Sequence, residues 1–154
     1  MDVSFMIYTD GGCSGNPGPG GWAYVMVTQT YQGEQIIAKN SGAEINTTNN
    51  KMELTAVIMA LRELKTMGEA PRQITVFTDS QYVQKGITEW IHKWKRNLWK
   101  TSDKKPVKNR ELWLELDSLA GNFCLKWEWV KGHAGIKYNE MCDTMTQDAV
   151  ARIK

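Results

Sequence analysis

The sequence predicts an α/β fold in which an antiparallel meander leads into a parallel strand–helix–strand unit, followed by further helices and one more strand. Three features carry this reading. Apolar and polar residues alternate in the early segments, apolar residues recur at helical spacing across residues 50–67, and short apolar runs return at Ile74–Thr78 and residues 123–130.

Residues 3–9 carry apolar side chains on both faces (Val3, Phe5, Met6, Ile7, Tyr8), the pattern of a strand central in a sheet, and the run stops at Asp10. The glycine-rich stretch 11–21 must turn sharply or bring backbone close to a neighbour. Residues 22–28 alternate as a second strand and 35–41 as a third, with 31–34 turning between them. Across residues 50–67, Leu54, Val57, Ile58, Leu61 and Leu64 share one helical face while Arg62, Glu63 and Lys65 face away; Asn49 or Asn50 is placed to cap this helix. Gly68 and Pro71 end it, and Ile74–Thr78 forms a strand that again stops at an acid, Asp79. A strand, helix, strand unit of this kind runs parallel with a right-handed crossover. Ser80 is placed to cap a helix containing Tyr82, Val83 and Ile87, before a Trp-rich basic segment at 90–108. Leu112, Leu116 and Leu119 mark the next helix, and residues 123–130 alternate as a strand. Gly132 and Gly135 bracket a loop, and a last helix starting near Asn139 turns Met141, Cys142, Met145, Ala149 and Val150 inward.

At 154 residues and 42% apolar composition, the chain is expected to form one domain, residues 1–154. The start lacks the basic residues and long apolar run of an export signal, and no apolar stretch approaches the roughly 20 residues that span a bilayer, so no membrane partner is expected. Cys13, Cys124 and Cys142 form neither an even set nor a CxxC pair, which fits a reducing cytoplasm and disfavours zinc. The net charge of +2 conceals a separation: residues 85–110 hold nine Lys or Arg against Glu89 and Asp103, giving +7, which leaves −5 for the remainder. That implies either a basic face for a polyanion or a solvated basic loop, with acids elsewhere able to hold cations.

Two segments echo one another, Ile7-Tyr8-Thr9-Asp10-Gly11 and Val76-Phe77-Thr78-Asp79-Ser80. If the strands pair in parallel, both acids sit in the crevice beyond their carboxyl ends, where open α/β sheets place their sites. Singly, each Asp also fits a strand-end turn. Glu53 falls in the first turns of the helix and alternatively fits a capping box with Asn50. Asp143 lies early in the last helix, where a surface acid is stabilised by the helix dipole. Together, four acids at one end of a small sheet repel one another unless protonated or neutralised, and magnesium is the natural counterion for an all-oxygen site. Two such ions about 3.5–4 Å apart can activate water and stabilise the leaving oxygen in phosphodiester hydrolysis. His133, in a Gly-bracketed loop, is placed to move protons near neutral pH.

The blocks YTDGGCSGNPGPGG, TTNNKMEL, TDSQYV, ITEWIHKWK with LWKTSDKKPVKN, and WEWVKGHAG with CD run in one order over nearly the whole chain. They closely resemble type 1 ribonuclease H. The resemblance implies a ribonuclease H-like fold, a mixed five-stranded sheet of three antiparallel then parallel strands flanked by helices. It also implies cleavage of the RNA strand of RNA–DNA hybrids by a single-domain, bacterial-like enzyme; nothing in the sequence demands a dimer, and a monomer is expected. By motif position Asp10, Glu53, Asp79 and Asp143 would be ligands to two Mg²⁺, with Mn²⁺ able to substitute, and His133 the proton-transfer and product-release residue.

The same comparison assigns ribose recognition on the RNA strand to Cys13, Gly15, Asn16, Asn49, Asn50 and Gln81. Trp90, Trp94, Trp99, Lys95, Arg96 and Lys100, with Lys93 interleaved, resemble the family's basic protrusion for the DNA strand, and Thr48, Ser102 and Asn109 match positions on the DNA backbone. For Trp90 and Trp94 the alternative is packing within a helix core. Asn46 stands where an Arg is common beside the phosphate site, the hairpin between Asp10 and Glu53 is a few residues longer than in common bacterial forms, and Thr144, Met145 and Thr146 depart from the usual continuation after the last Asp. Two rivals remain: a hybrid-binding module without turnover, opposed by the intact acids, and a junction or integration nuclease of the same fold, opposed by the Trp-rich protrusion.

Overall fold

The structure is a computed structural model that describes residues 4–68, 73–131 and 137–154. Strands β1 (Ser4–Cys13), β2 (Gly18–Thr30), β3 (Gly33–Thr47), β4 (Ile74–Thr78) and β5 (Leu125–Trp129) form one sheet in the order β3-β2-β1-β4-β5. β1 to β3 are antiparallel neighbours, while β4 pairs in parallel with both β1 and β5. The central position expected of the first strand and the mixed five-stranded sheet are both present.

The early strands run further than alternation indicates. β1 does not stop at Asp10; its antiparallel ladder with β2 continues to Cys13↔Gly20, although its parallel ladder with β4 ends at Tyr8↔Phe77. β3 stays paired with β2 to Thr47, past exposed Glu44, Ile45 and Asn46. On an edge strand, backbone pairing continues where side-chain alternation has lapsed.

Helices α1 (Asn49–Thr66), α2 (Gln81–Lys85), α3 (Ile91–Arg96), α4 (Arg110–Ala120) and α5 (Lys137–Ile153) complete the described elements, with a π-helical segment, Gly86–Trp90, joining α2 to α3. The cap of α1 is neither Asn49 nor Asn50 but Thr48, whose hydroxyl accepts from Lys51 N–H at 3.3 Å. The Asn50–Glu53 capping box is therefore absent, and the Glu53 side chain is left for another use. Ser80 caps α2 as expected, accepting from Val83 N–H at 3.1 Å.

Period two divides β1 between two cores. Phe5 and Ile7 pack with Leu54, Val57, Leu61, Trp113 and Leu116 of α1 and α4, and Tyr8 packs on the opposite face with Tyr138 and Cys142 of α5. A salt bridge from Arg62 to Glu115 ties α1 to α4. By the same alternation Asp10 lies on the α5 face and Gly11 on the α1 face.

Candidate active site

Asp10 and Asp79 each stand two residues beyond the last parallel rung, Tyr8↔Phe77, on adjacent strands. The Thr9 hydroxyl donates to the Phe77 carbonyl at 3.1 Å, fixing the two strand ends together. From the next strand, the Trp129 indole N–H donates to the Asp79 carbonyl at 3.1 Å and Val130 N–H to the Thr78 carbonyl at 2.9 Å. The bend that carries Asp79 is thus set by β5. Asp10 is only 6% exposed.

Glu53 reaches the same place from the other face, because Gly11 has no side chain to keep β1 away from α1: a Cβ there would stand 2.6 Å from the Met52 carbonyl oxygen. The ligand oxygens of Asp10, Glu53 and Asp79 lie within 4.8 Å of one another. Burial, followed by the charges of Asp79 and Asp10, holds the Glu53 carboxyl well above the usual carboxylate range, against an opposing backbone hydrogen bond from Gly11. Its Oε1 is buried with no hydrogen-bond partner among the described residues. A crowded all-oxygen donor set with an unsatisfied buried oxygen is what a hard divalent cation would complete.

Asp143 stands outside that 4.8 Å group, on the wall of the same cleft, a space of about 470 Å³ that Asp10, Asp79, Cys13 and Asn49 also line. It accepts from the Gln147 amide at 3.0 Å. Beside it, the buried Cys142 thiol donates to the Tyr8 carbonyl at 3.4 Å and so ties α5 to β1. Burial and the nearby Asp10 and Asp79 charges push that thiol far above its ordinary range, which keeps it protonated and inert. His133 falls within residues 132–136, outside the described residues.

A profile of the ribonuclease H family (RNase H) matches residues 2–151 of this chain. The chain belongs to the ribonuclease H family. It is 52% identical to the ribonuclease H of Treponema denticola over 161 aligned positions, covering 98% of this chain and 99% of the relative, and 54% identical to that of Wolbachia pipientis, covering 94% of each. Among solved structures it is similar to LC9-RNase H1, a type 1 RNase H with the type 2 active-site motif, at 30% identity and a TM-score of 0.86, covering 97% of this chain and 73% of that one. The type 1 resemblance read from the motifs is borne out, and with it a ribonuclease H activity, nuclease action on the RNA strand of an RNA–DNA hybrid.

Cys13 and Asn49 line the acid cleft, and Gly15 and Asn16 lie in the adjoining turn. The Asn16 Oδ1 accepts from Asn49 N–H at 3.1 Å, Gly15 holds φ +84°, and the Cys13 thiol faces the carbonyls of Gly18 and Thr47, each at 3.2 Å. Asn50 follows in the first turn of α1, next to the Thr48 cap, and Gln81 is exposed at the start of α2, two residues after Asp79.

The Trp-rich segment forms a second surface. Trp94 contacts Trp90, Trp99 and the buried Trp113 at centroid distances of 6.0, 6.0 and 5.2 Å. The packing reading holds, since Trp113 anchors a ladder of rings whose far end, Trp90, is 37% exposed. A groove of about 360 Å³ is lined by Trp90, Trp94, Lys93, Lys100, Ser102 and Asn97, and Arg96 lines a neighbouring depression with Lys100 and Ser102. Lys95 turns elsewhere, to pair with Asp117 of α4 at 2.8 Å. Sequence reasoning missed Asn97 in the groove and Thr146 and Gln147 in the acid cleft. It also missed the positioning contact of Trp129, and nothing in the sequence marked these residues. The close backbone approach expected of the glycine-rich stretch is present at Gly11.

Proposed function

We propose that this chain is a single catalytic domain, residues 1–154, that cuts the RNA strand of RNA–DNA hybrids endonucleolytically by a two-metal-ion mechanism, leaving 5′-phosphate and 3′-hydroxyl ends. The observation that carries the reading is the approach of Asp10, Glu53 and Asp79 within 4.8 Å, with a buried Glu53 oxygen that has no hydrogen-bond partner among the described residues. These three and Asp143 would hold two Mg²⁺, or Mn²⁺ in substitution. When bound, such ions supply an activated water and charge stabilisation at the leaving oxygen.

The chain's own residues do the rest. Asp10 and Asp79, each two residues beyond the last parallel rung on adjacent strands, bring their carboxylates together, and Gly11 and Thr48 let Glu53 enter from α1. The anchored α5 keeps Asp143 on the cleft wall. His133, by its place in the KGHAG motif, takes up and releases protons near neutral pH as product leaves.

Cys13, Gly15, Asn16, Asn49, Asn50 and Gln81 meet riboses of the RNA strand, with Asn and Gln supplying donors and acceptors for 2′-hydroxyls. Trp90, Trp94, Trp99, Lys95, Arg96 and Lys100 receive the DNA strand, with Thr48, Ser102 and Asn109 on its backbone. We further propose that it works as a monomer in the cytoplasm; no helix among the described residues is long and apolar enough to cross a membrane.

The test is cleavage of matched RNA–DNA, RNA–RNA and DNA–DNA duplexes, each strand labelled in turn, with and without magnesium. Release of fragments only from the RNA of the hybrid, and only with metal, is expected. Equal cutting of all three duplexes, or cutting in excess chelator, refutes the reading.

A further inference from the structure

Asn109 occupies the N-cap of α4 in the left-handed region, at φ 59°, yet its side chain makes no capping hydrogen bond. An Asn at this position ordinarily turns back onto the first amides of its helix. Here the side chain is directed across the fold instead: its Nδ2 donates to the Tyr82 hydroxyl oxygen at 3.2 Å. The indole N–H of Trp113 donates to the same oxygen at 2.9 Å. A phenolic oxygen accepts two hydrogen bonds at most, so these two donors fill it. Trp113 is fully buried, and the Tyr82 ring packs against it at 5.4 Å and edge-on against Trp90 at 5.8 Å. The oxygen that receives Asn109 is therefore fixed to the core on one side and to the exposed tryptophan on the other.

We infer that Tyr82 is a positioning residue of the DNA-strand site, its hydroxyl holding the Asn109 amide so that the second N–H of Nδ2 meets a backbone phosphate of the DNA strand. This rests on the proposed role of Asn109 in hybrid binding. Tyr82 touches no substrate and acts through Asn109. The left-handed backbone at Asn109 takes its side chain out of capping geometry, and its amide is held by Tyr82 instead.

The experiment is a double-mutant cycle in the full chain, with Tyr82→Phe, Asn109→Ala and the double variant assayed for cleavage of a labelled hybrid in magnesium. Tyr82→Phe keeps the ring contacts and removes only the hydroxyl. Each single change is expected to raise KM about fivefold, the scale of one neutral hydrogen bond, with little change in kcat. In the Asn109→Ala background, Tyr82→Phe should raise KM no further. A KM effect of Tyr82→Phe that is the same in both backgrounds, or that is missing in the wild-type background, overturns the inference. If Asn109→Ala alone leaves KM unchanged, the hybrid role of Asn109 falls with it. Independently of activity, the Asn109 side-chain amide resonances should move in Tyr82→Phe, and unmoved resonances in the folded variant also overturn the inference.

Discussion

Gly11 and Glu53 are packed backbone to backbone, so closely that a Cβ on Gly11 would stand 2.5 Å from the Glu53 amide nitrogen. Gly11→Ala must push α1 away from β1, and the displaced residue is an acid of the site. The expected outcome is a loss of about 1–3 kcal/mol in urea unfolding, as for other overpacked contacts, with a larger loss of hybrid cleavage than a stability change of that size explains. A variant with wild-type turnover would separate Glu53 from the chemistry.

Asp10→Asn keeps the size of the side chain and removes one charge from the cluster. Cleavage should become undetectable, while the metal-free fold stays at least as stable, because the Asp10 charge is among the influences that raise Glu53. Gel-based cleavage and thermal melting in chelator check the two halves.

The pH dependence of the metal-free protein has a definite sign. Glu53 is harder to ionise folded than unfolded, so its contribution to stability is complete below the ordinary carboxyl value of 4.5 and is lost as pH rises through the raised folded value. In chelator, Glu53→Gln should match wild type at low pH and become the more stable of the two as pH climbs towards neutrality. Urea midpoints for both proteins over that range decide it, and parallel curves would count against the buried, crowded carboxyl. Saturating magnesium should favour the wild type by ligand linkage.

Trp90 and Trp94 should separate by experiment. Trp94 touches three other indoles including buried Trp113, so Trp94→Ala is expected to cost about 3 kcal/mol or more of stability, in the range of core aromatic truncations. Trp90 is the exposed end of the ladder, and Trp90→Ala should leave the melt nearly unchanged while raising KM for the hybrid about tenfold, the scale of one lost stacking contact.

Among the lysines, Lys100 lines the Trp groove while half-exposed Lys95 is paired with Asp117. Lys100→Ala should flatten the dependence of hybrid affinity on log salt by about one unit. Lys95→Ala should flatten it less and change stability by no more than about 1 kcal/mol, as surface pairs do. Titrations at several salt concentrations distinguish them, and equal slopes would mean that the Lys95 pair opens on binding.

Most of the fold was legible because its period is local. The Leu54 to Leu64 stripe and the Ile74–Thr78 strand lie within short windows and appear in the structure, and the echoed Thr-Asp pairs both follow the last parallel rung, Tyr8↔Phe77, although β1 itself runs on. What escaped reading depends on contacts between distant segments. Nothing near Asp10 indicates that β2 keeps β1 paired to Cys13. The choice of Thr48 over Asn49 as cap is one residue in register, which propensity cannot resolve among three adjacent residues that all cap well. Trp129 as an anchor for Asp79, Lys95 as a partner of Asp117, and Asn109 as a partner of Tyr82 each join residues far apart in sequence. Asp10, Glu53 and Asp79 could be singled out as chemically alike residues near the ends of predicted elements, and the structure brings these three within 4.8 Å.

The four acids are carried by β1, α1, the turn after β4, and α5, so no single element of the fold contains more than one of them. The first and last of them come from opposite ends of the polypeptide and meet only when the sheet and its final helix have docked. Bringing these acids to one cleft therefore depends on the native topology and on no local segment of the chain.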